Sequence, residues 1–215
     1  MRKFRFLLAV CALALGSSAF AQTEDFYAEI KQFMTDNRAE YDSILSNYFA
    51  AEEMSLDDYA LLYYGYTYTD SYKPGYLDSK ADSLISKKEY EKAFEHLLQE
   101  NRKDPTSLKT LFDLMNLADL LNKTQESNRF QNAYLNLVRA ILQSGGDGSS
   151  AENAIYVNSE TDEFQLLSVY FKAVSIVSRE FTEDFKDRIT IKDSDGAQKV
   201  LYFDFSRFME VAQAK

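Results

Sequence analysis

Apolar residues recur at intervals of three and four along the first two thirds of the chain, and this spacing predicts helices. Between Glu24 and about Ala51, Phe26, Ile30 and Phe33, and then Tyr41, Ile44, Leu45, Tyr48 and Phe49, predict two short amphipathic helices or one kinked helix. Ser55 with Asp57 and Asp58 reads as an N-cap with acids in the first turn, opening a helix that carries Tyr59, Leu62, Tyr63 and Tyr66 along one stripe. Thr67, Thr69 and then Lys73-Pro74-Gly75 break it, so residues 59–76 are a helix running into a loop. Tyr76 to Asn101 is the best-patterned helical region, with a break around Ser86 to Lys88. Thr106–Leu121 and Glu126–Leu142 predict two further helices.

The period then changes. Residues 144–150, Ser-Gly-Gly-Asp-Gly-Ser-Ser, hold three glycines within four positions and sustain neither helix nor strand, so they read as a linker. A phosphate-cradling loop is also glycine-rich, but it follows a strand and carries Gly-Lys-Ser/Thr, and neither holds here. Beyond the linker, Ala154–Val157 is a short strand, and Thr161, Asp162 and Glu163 open a helix with Phe164, Leu167, Val169, Tyr170 and Phe171 as its apolar positions. Val174–Phe181 fits either helix or strand. Arg188–Lys192 alternates strictly, Asp193-Ser194-Asp195-Gly196 supplies turn chemistry, and Val200–Phe205 answers as the second strand of a β-hairpin. The turn aspartates lack the later ligands of a calcium loop and are turn formers. The predicted fold class is α+β: a helical body over residues 22–143, a linker over 144–150, and a C-terminal part over 151–215, a small antiparallel sheet with one helix packed on the body.

The first twenty-one residues change this picture only by removal. Arg2, Lys3 and Arg5, an apolar run from Phe6 to Leu15, and Ala19-Phe20-Ala21 form the pattern of a cleaved signal peptide. Cys11, the chain's single cysteine, lies in the apolar run. As the acylated residue of a lipoprotein it would follow a small residue, but Val10 precedes it and the apolar run continues beyond it. Cleavage before Gln22 leaves 194 residues without cysteine and moves the net charge from −10 to −13. An exported chain without disulfides relies on its core alone, which points to a bacterial periplasm or exterior. The acidity makes nucleic acid and anionic lipid surfaces poor partners, because those are held by Lys and Arg, and no nucleic-acid partner is expected.

Candidate chemistry is sparse. With one histidine and no mature cysteine, Cys/His nucleophile pairs and multi-histidine zinc sites are excluded, and no cofactor or metal is expected. His96 reads as a solvated helix residue. Asp57, Asp58, Asp70 and Asp78 flank the tyrosines and are the carboxylates a hydrolase would draw on; the plainer reading makes them caps and solvated acids. Seven of the fifteen tyrosines fall within residues 59–76. A tyrosine offers a large apolar ring and a hydroxyl that needs a partner, so the cluster is either a core seam or a recognition surface for sugars or peptides. The seam is the preferred reading for the helix, whereas for Tyr68, Tyr72 and Tyr76 beside Pro74-Gly75 both readings stand. The candidate ligand-binding set is Tyr63, Tyr64, Tyr66, Tyr68, Tyr72 and Tyr76.

Two resemblances add to this. Leu77, Ala81, Leu84, Ala93, Leu97 and Pro105 stand at the spacing of one tetratricopeptide repeat, with Leu77 in place of its tryptophan and Lys80 where an apolar residue is usual; the motif does not recur in register. The leader, Tyr63-Tyr64-Gly65-Tyr66, Tyr72-x-Pro74-Gly75-Tyr76, Gly148-x-x-x-Glu152-Asn153-Ala154-Ile155-x-Val157 and Tyr202-Phe203-Asp204 together resemble an uncharacterised family of exported Bacteroidota proteins, domain of unknown function 4919. That family implies location and fold continuity but no chemistry. It also implies O-glycosylation at Asp42-Ser43-Ile44 and Asp82-Ser83-Leu84, which look like the short acceptor of such bacteria. The expected role is a non-enzymatic periplasmic or secreted interaction protein that grips a peptide, an envelope protein or a glycan. A carboxylate-based hydrolase and a structural envelope component are the alternatives.

Overall fold

A computed structural model describes the backbone of residues 19–214 and the side chains of residues 26–214. Apart from the backbone of Ala19 to Ala21, the expected leader lies outside the described residues, as does Cys11. α1 (Ala19–Asp36) and α2 (Arg38–Ala50) are separate helices that meet at Asn37. α3 (Leu56–Tyr66) starts with a capping box: the Ser55 hydroxyl accepts from the Asp58 N–H at 3.1 Å, and the Asp58 carboxylate accepts from the Ser55 N–H at 2.8 Å. The sequence pattern predicts one buried stripe here, but every residue from Tyr59 to Tyr66 is buried. α1 and α2 pack against α3 from one side and α7 (Thr124–Ser144) from another, so α3 is the central helix of the body. A helix apolar all round needs such enclosure.

α4 (Ser79–Ser86), α5 (Tyr90–Lys103), α6 (Leu108–Leu120) and α7 pack pairwise in chain order. Ala81 and Ala93, the small residues of the repeat-like spacing, are both buried in the α4–α5 pair. Residues 144–150 join the helical body to the C-terminal part as a pinned loop, not a slack tether. The Gly146 N–H donates to Ala154 O at 3.1 Å, Gly148 N–H to Asn153 O at 2.7 Å, and Gly148 O accepts from Tyr202 N–H at 3.0 Å. At Gly146 a Cβ would stand 1.9 Å from Asn153 O, so only glycine allows this approach.

The C-terminal part is a four-stranded sheet in the order β1-β4-β3-β2. β3 (Lys186–Asp193) and β4 (Gln198–Asp204) form the predicted hairpin, whose turn Asp193 closes by accepting from the N–H groups of Asp195 and Ala197. β2 (Ala173–Phe181) resolves the ambiguous segment as a strand antiparallel to β3. The sheet is mixed, correcting the expected all-antiparallel one: β1 (Ile155–Tyr156) runs parallel to β4, and two residues are too few for a sequence pattern to show a direction. There are also two helices, α8 (Glu160–Gln165), continued by a π-helical turn Leu166–Tyr170, and α9 (Ser206–Gln213), where one was predicted. Ile189, Ile191, Leu201 and Phe203 are buried members of one core shared with the helical body.

β2 is the uncovered edge, with Val174, Ile176, Val177 and Phe181 all exposed. Its register against β3 shifts between Ala173 and Ser175 and between Ile176 and Ser178, which makes Val174 and Val177 the extra residues of two bulges. Besides the ladder, Arg179 ties this strand inward, pairing with Glu163 at 3.0 Å and with Asp187 while lying over the Phe164 ring. Glu163 and Asp187 are fully buried. Burial, and then its acidic neighbour Asp187, push the Glu163 carboxyl up, and the Arg179 guanidinium opposes the shift.

Gly65 tests the central packing. A Cβ there would lie 2.7 Å from the ring of Tyr41, which is 1 % exposed, and 2.9 Å from Met34 Sδ. Gly65→Ala favours an isolated helix by up to about 1 kcal/mol, but overpacking costs about 1–3 kcal/mol. A lower urea midpoint for the variant is the expected outcome; a raised midpoint would show that α3 and α2 do not meet this closely.

A tyrosine and carboxylate cavity as candidate functional site

The two parts of the chain are joined through Tyr63. Its hydroxyl donates to Asp162 Oδ2 at 2.9 Å and accepts from the Asn158 N–H at 2.9 Å, and its backbone carbonyl accepts from Asn158 Nδ2 at 2.7 Å. The other oxygen of Asp162 accepts from the Leu108 N–H, the first of α6, at 3.0 Å. One carboxyl thus caps α6, anchors α8 and holds α3. Burial pushes the Asp162 carboxyl up to about 7; the Leu108 N–H opposes the shift and the nearby Asp104 adds to it. Asp104 is also raised by burial, against the pull of the Thr106 N–H and hydroxyl at 2.9 and 2.7 Å.

Beside this junction lies a cavity of about 240 Å³, walled by the α3–α4 connection, α4, the α5–α6 turn and the β1–α8 turn. Tyr66, Tyr72 and Tyr76 supply its aromatic surface, and Asp78, Glu100, Asp104 and Asp162 are among its acids. Tyr72 is buried and its hydroxyl donates to Asn158 O at 2.6 Å; Tyr76 is 58 % exposed, its hydroxyl 3.3 Å from Glu100 Oε2. The Asn158 side chain, 2 % exposed, keeps its Oδ1 without a hydrogen-bond partner among the described residues.

The six sequence-selected tyrosines divide by depth. Tyr63 and Tyr64 are fully buried in the seam, with Tyr64 donating to Tyr156 O at 3.4 Å. Tyr66 donates to Ser71 O at 3.1 Å and reaches the cavity from inside. Tyr68 points elsewhere, donating to Tyr27 O at 2.9 Å beneath the Arg207 guanidinium, which stands 3.8 Å above its ring. Tyr72 and Tyr76 form the cavity wall. Among the acids, Asp57 and Asp58 lie at the α3 start, Asp70 is exposed in a turn, and Asp78 caps α4. His96 corrects its expected place in solvent: it is partly buried, its Nε2 2.9 Å from Asp78 Oδ2, because the α4–α5 pair closes over it. Sequence reasoning did not select Asp104, Asp162 and Asn158. Asp104 precedes Pro105-Thr106-Ser107 and Asp162 sits three residues after Ser159, patterns that signal helix starts and nothing more.

A larger groove of about 830 Å³ runs between α1, α9 and the β2–β3 turn. Of its cations, Arg207 pairs with Glu210 and donates to the Thr67 carbonyl, Lys186 pairs with Asp184, and Lys31 is exposed. The smaller cavity, with acids that have no cation, is the better candidate. Among the described residues no group of three or more His, Cys, Asp or Glu side chains is arranged to hold a metal ion, and no helix is long and apolar enough to cross a membrane.

Asp162 makes the junction pH-sensitive in a defined direction. A carboxyl whose folded pKa is raised is neutral in the fold while the unfolded chain is already ionised, so stability falls as pH rises between about 4 and 7, at up to about 1.4 kcal/mol per pH unit. Asp162→Asn copies the neutral form. Urea melts from pH 4.5 to 8 should give a shallower decline for the variant than for the wild type, and a more stable variant at pH 8; parallel curves would show that Asp162 ionises normally.

Compared with known proteins, residues 28–214 match the family model described as "Domain of unknown function (DUF4919)". No curated protein and no solved structure matches the chain.

Proposed function

The chain belongs to this family of domains of unknown function, and from that premise we propose that it is an exported, non-enzymatic binding protein of the bacterial periplasm or cell exterior whose cavity receives part of an envelope peptide or glycan. The leader pattern and the cysteine-free mature chain support export. The observation that carries the binding role is the convergence of Tyr72, Tyr76, Asp104 and Asn158, from three separate connections, on one small cavity beside the rigid Tyr63 junction. Aromatic rings with a few fixed polar groups are the general composition of a ligand site. Tyr76 is the platform at the mouth, since its ring is largely exposed and its hydroxyl is tied to Glu100. The pair Asp104 and Asp162 favours a second reading, a carboxylate-based hydrolase of a glycan or peptide, because burial keeps both carboxyls protonated to higher pH than usual.

Tyr76→Ala is the clean variant. Tyr72→Ala would also empty a buried site and break the bond to Asn158, so its effect mixes binding with stability. Envelope peptides and glycan fragments screened by thermal shift should stabilise the wild type by roughly 2.7 kcal/mol at 100 times the dissociation constant, and Tyr76→Ala should lose about tenfold in affinity with an unchanged unliganded midpoint. Equal affinity in the variant would remove this cavity as the site. Turnover of a hit that disappears in Asp104→Asn would replace binding by hydrolysis.

A further inference from the structure

We infer that the group this cavity receives is a positively charged primary amine. The inference rests on the reading of the cavity as a ligand site and adds the chemistry of what enters it.

Three of its acids have a basic partner at hand. Asp82 meets Lys109 at 2.9 Å, Glu100 meets Lys103 at 2.6 Å, and Asp78 meets His96 at 2.9 Å. Asp104 and Asp162 pair with no cation among the described residues; their hydrogen bonds come from neutral donors, Thr106 on the first, Tyr63 and Leu108 on the second. Two carboxyls taken out of water without a counter-charge are costly in the ionised form, and an entering cation removes that cost. Burial raises the pKa of both, as expected of acids that lack such a partner.

The neutral groups point the same way. Asn158 Oδ1, enclosed behind the wall, is an acceptor without a donor among the described residues, and its partial negative charge adds to the field there. Tyr72 and Tyr66 donate their hydroxyl hydrogens to Asn158 O and Ser71 O, so what remains for a visitor at those oxygens is lone pairs. Of the cavity's lysines, Lys109 is held by both Asp82 and Asp113, and Lys73 is exposed. An anion would therefore find little to hold it. A neutral polyol would leave Asp104 and Asp162 uncompensated. An ammonium group brings three donors and one charge to a place where acceptors stand beside two carboxyls that have no cationic partner among the described residues. Asp104, which keeps part of its surface accessible, is the group to meet it; Asp162, fully enclosed, acts from behind through its field.

An amine of this kind is presented by a lysine side chain and by an unacetylated amino sugar, and matched probes separate the two. Binding would be followed by NMR or calorimetry for Nα-acetyl-lysine amide against Nα-acetyl-norleucine amide, and for glucosamine against N-acetylglucosamine, at pH 7.5. At least one amine should bind ten times or more tightly than its neutral counterpart. That preference should fall at least tenfold in Asp104→Asn, whose side-chain oxygen can still accept from Thr106 and whose fold circular dichroism would check. An amine source preferred in only one pair identifies a peptide or a glycan as the origin. Equal binding of an amine and its neutral partner, sensitive to Tyr76→Ala, would overturn the amine inference and leave the binding site standing. No binding of any probe, with no response to Tyr76→Ala, would overturn both.

Discussion

A single buried hydroxyl holds the two halves of this molecule in register. Tyr63 stands on the enclosed helix α3, and its oxygen both donates to Asp162 and accepts from the Asn158 backbone, while the Asn158 amide returns to the Tyr63 carbonyl. A polar group removed from water is stabilising only when satisfied, and here every bond links residues more than ninety positions apart. The C-terminal sheet therefore cannot slide or rotate on the helical body without leaving several buried groups unpaired at once. Hydrophobic contact brings the two parts together; this network selects one arrangement. The cavity inherits its rigidity from the same residues, since Asn158 and Asp162 belong to both.

The concentration of tyrosine in α3 and the connection after it has a plain physical use in this light. Leucines in the same places would fill the volume but could not reach across to polar backbone in the C-terminal part. Tyr64 does so to Tyr156 and Tyr72 to Asn158, while Tyr68 reaches back to Tyr27 of α1, each ring filling apolar space while its hydroxyl satisfies a carbonyl. The cluster is graded by depth: Tyr63 and Tyr64 are enclosed in the seam, and Tyr72 and Tyr76 are where the seam reaches the cavity.

Helix periodicity, the Ser55 cap and the Asp193–Gly196 turn were legible because each is a local pattern with a local cause. What escaped was non-local. β1 is defined by its partner β4 and is too short to carry a period, and α9 follows a strand without a helical start signal of its own, since its N-cap position is Phe205. The enclosure of α3 on all sides depends on which helices arrive there. Asp104 and Asp162 look in sequence like any acids at helix starts; their removal from water is what distinguishes them from Asp57 or Asp70. His96 was misplaced for the same reason, because its partner Asp78 lies eighteen residues away on another helix.

The edge strand β2 combines exposed valine, isoleucine and phenylalanine with two interruptions of its ladder. An uninterrupted strand of that composition would be a template on which further chains could grow by backbone pairing. The extra residues at Val174 and Val177 break the even alternation of donors and acceptors along its outer rim, so a foreign strand laid against it loses step within a few residues. The two inserted valines thus blunt an edge whose composition would otherwise invite pairing with a second copy of the sheet.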